Sequence, residues 1–595
     1  MSLRLTLFSL ACATLLSSPV FAAQGLTEGV QMMTNQPHAA HPSVAASLDD
    51  TTTPAAPSAA PARASVKWQN YGLITNQAHG ALPPNMWDDA EWGAEIRPAL
   101  TALPKDTVSR LQRSLVRNTL LSQVDVEIMD DIPNDDDYLK LRLEQLLRNG
   151  NFEEIVSYYN TIPEAERPAH LYPTAFAAMA GLGRFSVTCL EIKVQGNVIG
   201  TASPLPDIQA FCTNLLRATA NPTKQTAVKS GMVLSGEMVQ AQQMRSPALQ
   251  QAARQYLDSK QVPAKISLAE FGRMDIVTAQ AANLSNRIAY PAVERVEGTL
   301  LPLPSSHIAL LLAVPPAEDS LRFAVYATAL QRGLMPQRDM ATQYKILAAS
   351  RKNKSPDQAP LWEKLLILKH QLGNAAATPA QIAILNKALA LFPSAYASYG
   401  MLAVSPFIQD ITALYPEMDM SGAQSRIVLR LLLAANQTTP IVGQVAQKAL
   451  GLPAAPIDSE DLMRDLKVVQ WGGPDVQGYV AQYLDARKYL SDIGPGKELN
   501  YDNIPGLTLS TNYVIPPKDV AKSLISAFNS DNAGKVVVNS TIVLQGKAFA
   551  DYHPSVIALI VEMYKRVGYE QEAQQLLSEV LADLLALENK KDKGV

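Results

Sequence analysis

The stretch LKLRLEQLLRNGNFEEIVSYYNTIP, residues 139 to 163, reads as a helix, a tight turn and a second helix. Leu139, Leu143, Leu146 and Leu147 fall on one face at the helical period. Gly150 breaks the pattern, and Phe152, Ile155, Val156 and Tyr159 resume it. An amphipathic helix buries its apolar stripe against a partner, so the stretch predicts a helical hairpin inside a larger helical body.

A second copy follows, in which Ala178, Gly181, Gly183 and Phe185 lead into Val187 and Cys189. Gly150/Phe152 and Gly183/Phe185 recur 33 residues apart. Trp362, Leu365, Leu372 and Gly373 precede the run NKALALFP, Asn386 to Pro393, where an Ala and Leu pair comes before a closing proline. Near the end of the chain, Tyr564, Gly568, Tyr569 and Ala573 repeat the turn signature, and Leu576, Leu577, Val580, Leu581, Leu584 and Leu585 form an apolar face. The chain resembles the tetratricopeptide-like superfamily of α-solenoids in these units, whose period is about 34 residues. The resemblance implies an all-α fold of stacked helical hairpins that presents an extended surface for recognition.

Helical patterns continue through 106–122, 225–262, 267–284, 317–350, 421–436 and 460–490, with irregular spacing between them. KVVVNSTIVL, Lys535 to Leu544, has strand propensity, but helical patterns flank it and the expectation is helix. The 6% aromatic content, with Ala and Leu recurring, favours close-packed helices over a β-sandwich. The apolar fraction of 47% and charged fraction of 18% are those of a globular protein. A net charge of -4 gives no general attraction for nucleic acid or anionic lipid.

The N-terminus, MSLRLTLFSLACATLLSSPVFAAQG, places Arg4 before an apolar run from Leu5 to Leu16, then Pro19 and the small-residue site around Ala22 and Ala23. Residues 1–23 are expected to be a cleaved signal peptide, because the run is too short to span a bilayer. A lipid anchor on Cys12 would want Leu where Ser9 stands. Residues 24–66 form an expected Pro, Ala, Ser and Thr linker without the large apolar residues that offset ordering entropy. The helical body is expected over 67–490, a Gly and Pro rich loop over 491–519, C-terminal helical hairpins over 520–588 and a charged tail over 589–595. Trp68, Tyr71, Trp87 and Trp92 open the body, and burial as a cap over its core is the expectation. No later run has the length of a transmembrane helix.

Loss of Cys12 with the leader leaves Cys189 and Cys212, which an oxidising compartment predicts as one disulfide. Buried free thiols are the alternative. Two isolated cysteines without a neighbouring histidine do not make a zinc site.

The seven histidines, His38, His41, His79, His170, His307, His370 and His553, are scattered and form no HExxH pattern. GxSxG and SxxK are absent. GPGKE, Gly494 to Glu498, lacks the first glycine and the hydroxyl residue of a phosphate loop and reads as a turn. Asp125, Glu127, Asp130, Asp131 and Asp135 to Asp137 lack the EF-hand order, and the last three suit a helix N-terminus.

The superhelical part of periplasmic lytic transglycosylases is similar to this helical pattern. The Glu-Ser motif of that family does not follow here, and Gly333, Leu334, Met335 and Pro336 echo only a fragment of its neighbouring stretch. No catalytic, cofactor or metal residue is assigned. The expected function is that of an exported, periplasmic or secreted, non-enzymatic scaffold binding an envelope protein or cell-wall polymer. The alternatives are a glycan-processing enzyme, marked by a deep pocket holding two carboxylates about 5–10 Å apart, and a structural part of a large envelope assembly.

Overall fold

The computed structural model describes residues 72–74, 81–83, 96–107, 109–123, 135–164, 167–195, 204–220, 245–289, 301–349, 351, 355–437, 439–493, 497–507, 513–530 and 532–591. The expected signal peptide and linker, Trp68, Tyr71, Trp87, Trp92, the acidic residues from Asp125 to Asp131 and the expected helical segment 225–244 lie outside the described residues.

Gly150 and Gly183 each take φ +73°. In both turns the amide after the glycine reaches five residues back, Asn151 N donating to Leu146 O and Arg184 N to Met179 O, each at 2.9 Å. A left-handed residue placed this way satisfies carbonyls that the helix end leaves open, so the hairpins start from backbone chemistry rather than from side-chain choice. At Gly150 the environment also forbids a side chain, because a Cβ would stand 2.7 Å from that of Ala309. The same five-back bond follows left-handed residues at Gly333, Gly451 and Gly568 and, without glycine, at Gln261, Asn286, Asn436 and Gln470.

Helices α1 (Ile96–Ala102) and α2 (Arg110–Leu121) lead into the hairpin of α3 (Asp135–Arg148) and α4 (Phe152–Thr161). The second copy is α5 (Leu171–Gly181) and α6 (Phe185–Gln195), followed by α7 (Leu205–Ala220) and α8 (Pro247–Ser259). The chain continues through α9 (Leu268–Phe271), α10 (Ile276–Leu284), α11 (Ser305–Ala313), α12 (Asp319–Gln331) and α13 (Gln337–Ala349). Then come α14 (Leu361–Asn374), α15 (Thr378–Tyr399), α16 (Ile408–Leu414), α17 (Gly422–Ala434) and α18 (Ile441–Leu450). The C-terminal part holds α19 (Ser459–Val468), α20 (Pro474–Ser491), α21 (Lys518–Ser530), α22 (Ala533–Val543), α23 (Pro554–Arg566) and α24 (Glu570–Lys591). Among the described residues there is no strand, only three isolated bridges, so the fold is all-α. Among the same residues no helix is long and apolar enough to cross a membrane.

Most contacts follow chain order: α3 packs on α4, α4 on α5, α5 on α6, α6 on α7, α7 on α8, and α11 to α15 pack successively. The ends of the body depart from that rule. Helix α2 packs against α22 and α24, and α17 against α24, whereas in a linear stack each unit touches only its neighbours. The buried apolar residues accordingly make one cluster that includes both Leu111 of α2 and Leu581 of α24.

Three sequence expectations are corrected. Pro393 does not close a repeat but lies inside α15, at a cost of about 3 kcal/mol for the lost amide and the clash with the preceding turn. Burial of Phe392, Ala395 and Tyr399 around it offsets that cost. The pattern over 267–284 is two helices, α9 and α10, with α10 capped by Asp275. The pattern over 460–490 is likewise broken, at left-handed Gln470 and Gly472. The β-branched run 535–544 is helical in α22, where Asn532 accepts from Lys535 N and Val536, Val537 and Val538 are buried.

Candidate functional site

The turn signature Gly568–Tyr569 directs α24 back across the body, and its apolar residues Leu576, Leu577, Val580, Leu581, Leu584 and Leu585 are buried. Glu579 and Asp583, one turn apart, lie beside that face and line a cavity of about 210 Å³. The opposite walls come from Arg110 at the start of α2, Gln331 at the end of α12, Leu402 and Phe549. Gly546, Lys547 and Ala548 are exposed and form its rim.

Burial pushes the Glu579 carboxyl up to about 7, against the hydrogen bond from Gln575. Glu579 also meets the Leu111 amide at the positive end of α2. Burial raises Asp583 to about 6, opposed by the Arg430 charge. Arg110 is lowered by burial, with Glu579 opposing. Two buried polar atoms of this cavity, Arg110 Nη1 and Gln331 Oε1, meet no hydrogen-bond partner. The sequence reading missed all four residues, because acidic side chains flanking an apolar helical stripe read as solvated.

The paired carboxyls stand about 5–6 Å apart at Cβ, as i and i+4 neighbours do. They approach a ligand from one wall. Glycoside cleavage needs them on the two sides of the scissile bond, and Glu579 is followed by Val580 rather than serine. The cavity therefore has the chemistry of a binding site for polar groups.

A second feature lies on α6 and α7. Cys189 and Cys212 form a disulfide, with sulfurs 2.01 Å apart, beside the stacked rings of Phe185 and Phe211 (3.9 Å between centroids). The buried side of α6 carries Phe185, Thr188 and Ile192, while Val187 (51%), Leu190 (63%) and Val194 (68%) are exposed on the other. Leu216 of α7, one turn beyond Cys212, is exposed as well (63%). Lys193 and Arg217 stand exposed beside these residues.

His307, His370 and His553 make contacts within the fold. His307 is buried against the Phe271 ring, with Nε2 3.1 Å from Met274 O, and burial lowers its pKa. His553 caps α23, its Nδ1 accepting from Ser555 N at 3.2 Å. His370 sits 3.2 Å from Asn374 Nδ2, and His170 precedes α5. His38, His41 and His79 lie outside the described residues, as do Gly494 to Gly496 of the GPGKE run. Asp135 to Asp137 occupy the first turn of α3, and Gly333 to Pro336 form the turn between α12 and α13. Among the described residues no group of three His, Cys, Asp or Glu could hold a metal. No family model, no curated protein and no solved structure matches this chain.

Proposed function

We propose that the protein is an exported, non-catalytic scaffold of the bacterial cell envelope, built of tetratricopeptide-like helical hairpins, that holds another envelope protein on the α6–α7 face. The observation that carries this reading is the exposed row Val187, Leu190 and Val194, with Leu216 of α7 exposed as well. Apolar residues at i, i+3 and i+7 make a stripe about two turns long, which suits the apolar face of one partner helix. The exposed Lys193 and Arg217 beside it favour a partner with acidic flanks. Each fully buried Val or Leu side chain contributes about 1.5–3 kcal/mol, enough for specific association once the partner is preorganised. The disulfide ties α6, which bears the stripe, to α7 and is compatible with export.

The test compares wild-type protein with the double variant Leu190→Asp, Val194→Asp, purified from the envelope fraction. The variant should keep its helical content and lose the protein that co-purifies with wild type. Equal recovery of that protein by both would sink the reading.

A further inference from the structure

The cavity beside α24 has an inventory that fits one kind of ligand. Arg110 Nη1 is a buried cationic donor without an acceptor, and Gln331 Oε1 is a buried acceptor without a donor. Leaving such atoms unpaired is unfavourable, so the site wants a molecule or water that supplies an acceptor to one and a donor to the other. Glu579 and Asp583 border the same space, where the Arg110 charge reaches Glu579 but neither carboxyl accepts a hydrogen bond from Arg110. A lone anion would satisfy Arg110 but face two carboxyls, and a lone cation would satisfy the carboxyls but leave Arg110 open. A zwitterion satisfies both ends.

We propose that this cavity binds a free α-amino acid, its carboxylate held by Arg110 and its ammonium by Gln331 Oε1, Glu579 and Asp583. The size agrees: about 210 Å³ holds roughly seven waters at about 30 Å³ each, room for a small amino acid and residual solvent. The exposed Gly546–Ala548 rim supplies the entrance, and a Cβ added at Gly546 would meet nothing within 4 Å. Phe549 and Leu402 offer apolar wall for a short side chain. The site shares no residue with the α6–α7 face, so it stands or falls independently of the scaffold reading.

The charged groups around the carboxyls are Arg110 from α2, Lys547 from the rim, Arg430 from α17 and Asp551 from the turn before α23. An ammonium placed between Glu579 and Asp583 favours their ionised forms, so binding near pH 6.5 must release protons. Binding of a simple anion at Arg110 would instead take protons up. The sign of the proton count therefore separates the two.

Titration calorimetry of the full exported protein with L-alanine near pH 6.5, in two buffers of different ionisation enthalpy, tests this. The expected result is saturable binding with proton release, weakened at least about tenfold for N-acetyl-L-alanine, L-alanine methyl ester, acetate and methylammonium. Arg110→Gln should weaken L-alanine by a similar factor, and Gln331→Leu serves the same purpose should that variant not fold. Absence of saturable heat, binding of acetate as tight as that of alanine, or proton uptake would each overturn the proposal.

Discussion

Arg113 and Arg142 lie on neighbouring antiparallel helices, and each caps the other's C-terminal end. Arg142 of α3 donates from Nε to Leu120 O at 2.8 Å and from Nη2 to Ser122 O at 3.1 Å, at the end of α2. Arg113 of α2 returns the interaction, donating to Asn149 O and, at 3.2 Å, to Asn151 Oδ1 at the end of α3. Both side chains are buried, so their donors are met by carbonyl oxygens where water cannot reach, and the Glu154 carboxylate also favours the Arg113 charge.

Arg142→Ala removes two charge-assisted bonds and leaves Leu120 O and Ser122 O in a buried place. Each unsatisfied carbonyl costs about 1–3 kcal/mol, so the urea midpoint of unfolding should fall clearly. Arg142→Lys should recover only part of that loss, since one ammonium cannot reproduce the fork. Identical midpoints for wild type and Arg142→Ala would contradict the reciprocal capping.

Left-handed turns give a prediction of opposite signs. Gly150→Ala should destabilise by more than about 1 kcal/mol, from the φ of +73° and the 2.7 Å approach to Ala309. Gln470→Gly, at φ +50°, should stabilise by about 0.5 kcal/mol, the relief of left-handed strain exceeding the entropy of glycine. Thermal unfolding of both variants checks the pair.

These turns also mark how much of the fold was legible. Gly150, Gly183 and Gly568 announced their hairpins because glycine is the residue that adopts φ above zero without cost. Asn286 and Asn436 use the residue that, after glycine, best tolerates φ above zero, whereas Gln261 and Gln470 do the same work with side chains that carry no such signal. Pro393 misled because its usual meaning as a stop is overridden by packing of the same helix. Contact of α2 with α22 and α24 had no local signal at all, being decided by tertiary packing. The cavity was hidden for the same reason: its walls come from segments that are distant in sequence, with Glu579, Ala582 and Asp583 on α24 meeting residues of α2, α12 and the turn around Gly546.

Stability should depend on pH through those two residues. Their carboxyls titrate near about 7 and about 6 in the folded chain, above the ordinary 4.5 and 3.8. The folded state therefore holds more protons than the unfolded state between roughly pH 4 and 7, so stability falls as pH rises through that window. Glu579→Gln should flatten the fall, by an amount on the order of 1–3 kcal/mol between about pH 5 and pH 8. Parallel profiles for wild type and variant, from urea midpoints across pH, would contradict the assignment.

The proposed export and the disulfide give a further prediction. Non-reducing peptide mapping of the exported protein should recover Cys189 joined to Cys212 and an N-terminus at Ala23 or Gln24. Cys189→Ser with Cys212→Ser should cost about 3 kcal/mol, the chain-entropy value for a separation of 23 residues. Recovery of both cysteines as free thiols would remove the bridge.

The scaffold reading is tested most directly by site-specific photo-crosslinking in intact cells of the native host. A photoreactive residue at Leu190 should give one discrete adduct with a second protein, lost when Val194→Asp is added, while the same probe at exposed Val468 gives none. No adduct at position 190, an adduct only with a second copy of this chain, or the same adducts from both positions would contradict it.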